Sequence, residues 1–403
     1  MKKIYILIIL LLLGNIVNAQ WQLTDILNNK MVRCLAVSDS NVFAGVSGGV
    51  FLSVNNGTTW TAANNGITNT EVFSLAISGT NIFAGTDSNG IFLSTNNGIS
   101  WSALNTGIPV NILVSSIAVS GTNIFAATIG SGMFLSTNDG ISWIAINNGL
   151  TSLQIYSLAV SGTTIFAGTN NGIFLSNNNG TTWTSANNGL SAPASSIAVS
   201  GTNIFAGNYH GVFLSMDNGS SWTAVNNGLT NIDVYSIAVS GTNILAGTYN
   251  LQNCKVFLSS NNGASWTNVS TGLPNALVRC FAFNGMNVFA GVHNISDWTG
   301  QYPGAGVWKR SLSEMISISE IPTANTFAIS PNPAIDKLII DLQPLKNLQN
   351  TTLSIYDIQG KLLLQQHINQ LQTELNISSF FKGIYVVKVN NENESFVSKF
   401  MKE

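Results

Sequence analysis

Charge is scarce in this sequence. Only 8% of its 403 residues are Asp, Glu, Lys or Arg, whereas soluble domains average about 25%. The whole chain holds three arginines, Arg33, Arg279 and Arg310, and its formal net charge is −2. Because nucleic-acid binding needs clustered Lys and Arg, we expect no nucleic-acid partner. Intrinsic disorder is excluded as well, because 45% of the residues are hydrophobic and disordered chains combine low hydrophobicity with high charge.

Histidine and cysteine are also rare, with three residues of each type. His210, His293 and His367 have no other His or Cys three or four positions away, so the ligand spacing of a helix-borne metal site is absent. The chain also lacks the G-x-x-x-x-G-K-[ST] sequence of a phosphate-binding loop. We therefore expect neither a metal site nor a cofactor.

Long apolar runs are limited to residues 4–13, which follow Lys2 and Lys3 and precede a small residue, Ala19. A run of about ten residues is too short for a membrane span, which needs about 20. Basic residues, an apolar run and a small residue in this order are typical of a secretory signal peptide. The sequence thus predicts a signal peptide over residues 1–19. The mature chain would be secreted, begin near Gln20 and have no membrane-spanning segment.

What the sequence does contain is a repeat. SGTNIFAG and its variants place Asn or Thr at seven positions 39 to 44 residues apart, namely 41, 81, 123, 164, 203, 243 and 287. Each unit has four short runs of Ile, Val, Phe and Ala between Gly and Asn turns, a pattern that indicates four antiparallel strands. Four strands in such a repeat are typical of one β-propeller blade. We predict an all-β chain with a seven-bladed β-propeller over residues 20–313, in which a strand at Trp21 closes blade 7.

Six repeats carry an eight-residue turn that ends in Trp. The turn resembles the Asp-box, S-x-D-x-G-x-[ST]-W, of BNR-repeat and sialidase-like propellers. Its third and last positions are Asn55 and Trp60, Asn96 and Trp101, Asn138 and Trp143, Asn178 and Trp183, Asp217 and Trp222, and Asn261 and Trp266. We expect Asn to do the structural work of the Asp, because its side chain also bonds its own backbone two residues on and tolerates left-handed geometry. Neutral amides are poor calcium ligands, so the turns are expected to be structural.

The repeat also sorts residues by face. The loop before the first strand and the loop between the second and third strands should share one face, opposite the turns. Departures from the repeat cluster on that face in repeats 5, 6, 7 and 1. They make up our ligand-binding candidates: Arg33, Tyr209, His210, Tyr235, Tyr249, Arg279, His293, Trp298 and Tyr302. Aromatic rings with Arg and His suit sugar stacking or an acidic group, and drift of exposed loops is the alternative.

One position near the start of the first strand runs around the whole predicted ring. It is occupied by Arg33, Phe73, Ser115, Tyr156, Ser195, Tyr235 and Arg279. The two arginines should lie side by side, because repeats 7 and 1 become neighbours on closure. Cys34 and Cys280 follow them and would also face each other. Either a disulfide, which needs Cα atoms about 4.4–6.8 Å apart, or two buried thiols fits this placement, and we favour the thiols.

A separate domain is predicted after Ile321, because charged residues become much denser there. We place a linker over 314–325 and the domain over 326–403, with strands at 337–342, 352–356, 361–366 and 384–389. Residues 330–334, 353–357, 375–378, 383–385 and 399–402 resemble the type A sorting domain of the type IX secretion system. The matching residues include Asn332, Pro333, Gly360, Gly383, Tyr385, Lys399 and Lys402.

This resemblance implies a small Ig-like β-sandwich that the type IX secretion machinery recognises at the outer membrane. The cargo would then be released or attached to the cell surface. An Ig-like adhesion module is the alternative interpretation. Ile329 stands where the family usually has tyrosine.

The predicted function is that of a secreted or cell-surface binding module, expected to be a monomer, for a polysaccharide or a protein partner. A glycoside hydrolase is one alternative, and it would need a carboxylate pair, for which Asp233 and Asp297 are the candidates. The resemblance to sialidases does not extend to their site, since no FRIP-like motif is present and Cys34 follows Arg33. A purely structural envelope protein is the other alternative.

Overall fold

The structure is a computed structural model that describes residues 20–24, 30–67, 70–250, 253–293, 304–316, 327–342, 348, 351–357, 362–391 and 395–403. The signal peptide predicted over 1–19, most of the predicted linker, and Asp297, Trp298, Tyr302 and Gly360 lie outside these ranges. The chain divides into two compact units between residues 317 and 318.

The described part of the first unit forms seven four-stranded antiparallel sheets. Strand β1 (Gln22–Leu23) comes first in the chain and belongs to the seventh sheet. The strands of the first three sheets are β2 (Val32–Ser38), β3 (Asn41–Val46), β4 (Gly49–Ser53), β5 (Thr61–Ala62), β6 (Val72–Ser78), β7 (Asn81–Thr86), β8 (Ile91–Ser94), β9 (Ser102–Ala103), β10 (Leu113–Ser120), β11 (Asn123–Ile129), β12 (Met133–Ser136) and β13 (Ile144–Ala145). Those of the next three are β14 (Ile155–Ser161), β15 (Thr164–Thr169), β16 (Gly172–Ser176), β17 (Thr184–Ser185), β18 (Ser196–Ser200), β19 (Asn203–Asn208), β20 (Gly211–Ser215), β21 (Thr223–Ala224), β22 (Val234–Ser240), β23 (Asn243–Thr248), β24 (Lys255–Ser259) and β25 (Thr267–Asn268). The seventh sheet has β26 (Leu277–Asn284), β27 (Asn287–His293) and β28 (Gly306–Ser311), paired in the order β1-β28-β27-β26.

The apolar cores lie between the sheets. Each second strand is buried along almost its whole length, as in Asn81–Thr86, because its sheet has a neighbour on both sides. Phe83 of the second sheet, for example, packs with Ile124, Phe134 and Trp143 of the third sheet. Burial of this apolar surface, at roughly 25 cal/mol per Å², stabilises the stacking. It explains why the second strands are continuous apolar runs and do not alternate.

The first strands of the seven sheets contact one another in cyclic order. Strand β2 contacts β6, and the contacts continue through β10, β14, β18 and β22 to β26, which contacts β2. The outer strand of the seventh sheet comes from the other end of the unit, since Gln22 pairs with Lys309 and Leu23 with Trp308. Trp21 is 1% exposed, and its Nε1 donates to the Val269 carbonyl at 2.8 Å.

The eight-residue turns share one hydrogen-bond pattern. In the first, Ser53 Oγ accepts the Gly57 N–H at 2.8 Å, and Asn55 Oδ1 accepts the Thr59 N–H at 2.9 Å. The left-handed residue is the next one, Asn56, at a φ of 54°, and the backbone bond of Asn55 does not have the two-residue span that we expected. The side chain of Asn55 bonds the backbone four residues on, which leaves the backbone reversal to its neighbour. The same arrangement recurs in the other five turns, with the left-handed residues Asn97, Asp139, Asn179, Asn218 and Asn262.

The tryptophans that end these turns link neighbouring sheets. Trp101 Nε1, for example, donates to the Ala63 carbonyl of the preceding sheet at 2.8 Å. Among the turns, Asp217 carries the single carboxylate at the third position. Hydrogen bonds from Ser221, and a further one from Ser215, lower the pKa of Asp217 to about 2. In the other five turns a neutral Asn accepts the same backbone hydrogen bond.

The seventh sheet replaces this turn with a different arrangement. Arg310 pairs with Val288 at the register position that Ser53 holds opposite Val42. The Arg310 Nη1 donates to the Val269 carbonyl at 2.9 Å, and burial lowers its pKa. The chain then forms helix α1 (Leu312–Ile316), so the start of the segment that we assigned to a linker is helical.

The three cysteines are free thiols. Burial raises the pKa of Cys34 well above its ordinary value and that of Cys280 to about 12. Cys34 and Cys280 thus match our interpretation of two buried thiols.

The second unit consists of two antiparallel sheets. Its strands are β29 (Ala328–Ser330), β30 (Lys337–Asp341), β31 (Thr351–Asp357), β32 (Leu362–Ile368), β33 (Gln372–Asn376), β34 (Gly383–Asn390) and β35 (Ser395–Lys402). The first sheet has the order β29-β30-β33 and the second β32-β31-β34-β35. Leu338 and Leu375 of the first share one core with Leu353 and Val387 of the second. Strands β29, β33 and β35 are additional to the four we predicted.

The loop around Asn332 holds the last strand of this unit. Asn332 Oδ1 accepts the Met401 N–H at 2.9 Å, and Ala334 forms a bridge with Lys402. Tyr385 stacks on Phe400 with ring centroids 5.4 Å apart. Asn332, Tyr385 and Lys402 thus hold the C-terminal strand in place, whereas Lys399 is exposed.

Candidate functional site

The first strands carry a bulge at the position that the sequence analysis followed around the ring. In six sheets the pairing with the second strand skips one residue, as between Val278 and Cys280 in β26. The six skipped residues are Arg33, Phe73, Ser115, Tyr156, Tyr235 and Arg279. In the remaining sheet Ser195 lies just before β18, and its N–H donates to the Gly207 carbonyl at 2.9 Å. A bulge redirects a side chain out of the regular alternation, so these six side chains leave the cores between sheets.

These seven side chains line one cavity of about 490 Å³, whose wall also includes Leu113, Ser116, Ile129, Ser157 and Ser196. The volume lies within the range of small-molecule sites, roughly 300–1,000 Å³. Its wall is asymmetric: hydroxyl groups of the third to fifth sheets stand on one side, and Arg279, Arg33 and aromatic rings on the other.

Small residues behind the bulge let the first strands approach one another. A Cβ at Gly85 would lie 2.3 Å from Ser74 Oγ and 2.6 Å from a Val114 methyl carbon. The Ser74 hydroxyl donates to the Val114 carbonyl of the next sheet at 3.2 Å. The absence of a side chain at Gly85 therefore permits the contact that positions the bulged residues of both sheets.

Arg279 is held by neutral partners. Its Nη1 donates to Tyr235 Oη and its Nε to His293 Nδ1, both at 3.0 Å. The guanidinium carbon lies 5.2 Å from the centre of the Tyr235 ring, a cation–π distance. Burial, aided by the charges of Arg279 and Arg33, lowers the pKa of His293 to about 4. The imidazole is therefore neutral near pH 7 and can accept this hydrogen bond.

Arg33 has an anionic partner. Its Nε forms a salt bridge with Glu71 Oε1, and the two side chains are 12% and 21% exposed. The Arg33 guanidinium also lies 4.9 Å from the centre of the Phe73 ring. The two arginines and Glu71 together carry one net positive charge at pH 7.

Four of the predicted ligand-binding candidates come together here: Arg33, Tyr235 and Arg279 line the cavity, and His293 contacts Arg279. The others that the structure describes do not line it. Tyr209 packs on His210 with ring centroids 4.4 Å apart, His210 bonds Ser191, and the Tyr249 N–H donates to the Asp233 carbonyl at 2.7 Å.

Sequence reasoning missed two kinds of site residue. Tyr156, Ser115 and Ser195 occupy the same repeat position as the arginines, so the repeat register placed them beside the site although they were not among the ligand-binding candidates. Glu71 had no such signal, because it precedes the strand and its role depends on the partner Arg33.

The carboxylates expected for a hydrolase are not assembled in the described cavity wall, which contains no Asp or Glu. Burial raises the pKa of Asp233, but its intended partner Asp297 lies outside the described residues. Within the described ranges, no group of three His, Cys, Asp or Glu is placed to hold a metal ion. The same ranges contain no helix long and apolar enough to cross a membrane.

Family models match two parts of the chain. Residues 328–403 match the secretion system C-terminal sorting domain, and residues 67–207 match the DUF6242 β-propeller domain. The chain therefore carries a sorting domain for type IX-dependent secretion to the cell surface or the extracellular space. It also contains a β-propeller.

Among curated proteins, the chain is 32% identical over 89 residues to the funoran endo-β-hydrolase of Wenyingzhuangia aestuarii. The match spans 21% of this chain and only 12% of that enzyme.

Solved structures of similar fold include proteins described as enzymes and others that are not. YCF48 from Cyanidioschyzon merolae has a TM-score of 0.55 at 15% identity, over 73% of this chain and 99% of its own. A YCF48 structure described as bound to D1 peptide has a TM-score of 0.56 at 13% identity, over 72% and 96%. The GH74 xyloglucanase from Xanthomonas campestris has a TM-score of 0.55 at 13% identity, over 73% and 54%. At these identities the likeness shows the propeller fold alone and says nothing about activity.

Proposed function

We propose that this chain is a type IX-exported binding module whose seven-bladed propeller binds a polysaccharide in the cavity described above. The observation that carries the proposal is the convergence of one repeat position from all seven sheets on one cavity. The repeat is otherwise nearly uniform, yet at this position it varies between Arg, Tyr, Phe and Ser. Variation at every position that faces a cavity is expected of a binding surface carried on a fixed scaffold.

The proposed architecture is a closed ring with a separate export domain. The cyclic contacts of the first strands and the pairing of Gln22–Leu23 with β28 support seven blades closed by the mature N-terminus. The turns that resemble Asp-boxes would be structural, because their polar side chains bond the turn itself. The two sheets of the second unit support an Ig-like sandwich, and a signal peptide over 1–19 would deliver the chain to the periplasm.

A polysaccharide suits the composition of this cavity. Ser115, Ser195, Ser196 and Tyr156, which is 39% exposed, line the cavity. Two of these hydroxyl groups also bond the backbone: Ser115 donates its proton to the Ile155 carbonyl, and Ser196 Oγ accepts the Ile237 N–H at 3.0 Å. Hydroxyls and an open aromatic face match the hydroxyls and C–H faces of sugars.

Two other functions have weaker support. A peptide ligand is favoured by the YCF48 structure described as bound to D1 peptide, which shares the propeller fold alone. Hydrolysis is favoured by the short match to a funoran endo-β-hydrolase. A glycoside hydrolase needs a carboxylate pair, and the described wall of the cavity contains none.

A glycan array probed with the full chain tests the proposal. Tyr156→Ala removes a ring from the cavity, and Tyr209→Ala removes a ring that is 53% exposed and lies outside it. We expect saturable binding to one glycan class, weakened about tenfold by Tyr156→Ala and unchanged by Tyr209→Ala. A blank array, or equal binding by all three proteins, would contradict a glycan site in this cavity.

A further inference from the structure

We infer that the glycan bound in this cavity is acidic, and that its carboxylate or sulfate group binds the guanidinium of Arg279. This inference rests on the proposed function and adds the chemical class of the ligand. It depends on the charge balance around Arg279, on its geometry, and on the occupation of the neighbouring aromatic rings.

The charge balance leaves Arg279 without a counter-ion among the described residues that touch it. Glu71 forms its salt bridge with Arg33, whereas the hydrogen-bond partners of Arg279 are a phenol and an imidazole. That imidazole belongs to His293, whose low pKa keeps it uncharged. A partly buried cation with neutral partners is costly, and a bound anion would offset that cost.

The geometry prepares Arg279 for an oxyanion. Hydrogen bonds from its Nε and one Nη1 proton fix the plane of the guanidinium, which has five N–H donors in all. A planar, fixed fork of this kind matches carboxylate and sulfate oxygens in pairs. Less side-chain entropy is lost on binding, because the side chain is already ordered.

The aromatic rings beside the arginines are already occupied. The guanidinium of Arg33 lies over Phe73, and that of Arg279 lies over Tyr235. A neutral sugar stacking on these rings would have to displace a cation. A ligand on this side of the cavity therefore meets arginine first, which favours an acidic sugar over a neutral one.

The opposite wall distinguishes a sugar from a peptide. Ser115, Ser195 and Ser196 present hydroxyl groups to the same cavity. Ser115 Oγ, whose proton goes to the Ile155 carbonyl, can accept from a sugar hydroxyl, and Ser196, whose Oγ accepts the Ile237 N–H, can donate to one. Since an acidic sugar carries an oxyanion and several hydroxyls within one ring, it can reach both walls. We therefore assign the site to an acidic glycan, and a peptide carboxylate becomes an outcome of the test.

Calorimetric titration of the full chain tests this assignment with two matched pairs of probes. The first pair is tetragalacturonic acid and its methyl ester, and the second is a sulfated galactan oligosaccharide and its desulfated form. We expect at least one acidic probe to bind about tenfold to a hundredfold tighter than its neutral partner. Whichever acidic probe binds identifies the source of the oxyanion.

Variants locate the effect. Arg279→Gln should remove the preference for the acidic probe, and Arg279→Lys, which keeps the charge but loses the planar fork, should weaken it. Lys255→Gln removes an equal charge from a residue that does not line the cavity and should leave the preference unchanged. The comparison of acid with ester in the unchanged protein needs no variant, so a folding defect in Arg279→Gln would not obscure the answer.

The remaining outcomes separate the two proposals. Equal binding of acidic and neutral probes overturns the acidic assignment and leaves a glycan-binding cavity. Binding of a peptide with a free C-terminal carboxylate, while every oligosaccharide fails, overturns the glycan class. If acidic, neutral and peptide probes all fail, both this inference and the proposed function are wrong.

Discussion

Replacement of Trp21 by alanine tests whether the N-terminal segment closes the ring. Trp21 lies next to the short strand β1 and is 1% exposed. Its Nε1 donates to the Val269 carbonyl at 2.8 Å, and its N–H donates to the Thr271 carbonyl at 2.9 Å. The same bond from Nε1 to a carbonyl joins five of the six turn tryptophans, such as Trp101, to the sheet before them. If the ring is closed, Trp21 should be as important as those interior residues.

The magnitude follows from burial and from what the substitution leaves behind. Loss of a buried Trp side chain costs about 3–5 kcal/mol. The Val269 carbonyl keeps its hydrogen bond from Arg310 Nη1, so no buried acceptor is orphaned. We therefore expect the lower part of that range, about 3–4 kcal/mol. Leu23 is 36% exposed, so Leu23→Ala should lower the unfolding free energy by less than about 1 kcal/mol.

Hydrogen exchange of the peptide 306–311 reports whether the N-terminal segment stays paired, because β28 is the strand that β1 covers. Trp21→Ala should accelerate exchange there and lower the midpoint of urea unfolding. Leu23→Ala should have little effect on either quantity, and Trp143→Ala, 3% exposed, should destabilise the chain about as much as Trp21→Ala. If Trp21→Ala behaves like Leu23→Ala, the segment is a loosely attached terminus and the closure argument is refuted.

Two further predictions concern the scaffold of the cavity. Gly85→Ala places a Cβ 2.6 Å from a methyl carbon of Val114 and should lower the unfolding free energy by about 1–3 kcal/mol. The control Ala127→Gly, at the equivalent position of the next sheet, should change the unfolding free energy by less than about 1 kcal/mol. Equal urea midpoints for the two variants would contradict the clash. His293 takes up its proton near pH 4 in the folded chain and near 6.5 when unfolded, so stability should fall as pH falls through this window. With solvent screening of a half-buried ring, the loss is about 1–2 kcal/mol, and a His293→Gln variant with the same pH slope would disprove it.

The repeat made much of the propeller predictable. Every second strand begins at the Asn or Thr that the repeat marks, as at Asn81 in β7. The reason is physical: a tight Gly turn followed by a buried apolar run has few alternatives. The position of Trp21, 39 residues before Trp60, similarly anticipated its pairing partner, because repeat spacing carries register.

What escaped prediction depends on neighbours in space. The bulge at Arg279 arises from pairing register between β26 and β27, which composition does not encode. The salt bridge of Glu71 with Arg33 joins two sheets, and Glu71 lies outside the repeated motif. Asn56 and Asn55 are identical residues in one turn, and only the hydrogen bonds decide which of them is left-handed.

The most direct test of the proposed binding site is the crystal structure of the full chain with an oligosaccharide selected on the array. We predict a sugar inside the cavity, with an acidic group within hydrogen-bond distance of the Arg279 guanidinium and hydroxyls near Ser195 and Ser196. A sugar bound instead at the turn face, or beside Tyr209 and His210, would contradict the assignment of the cavity as the binding site.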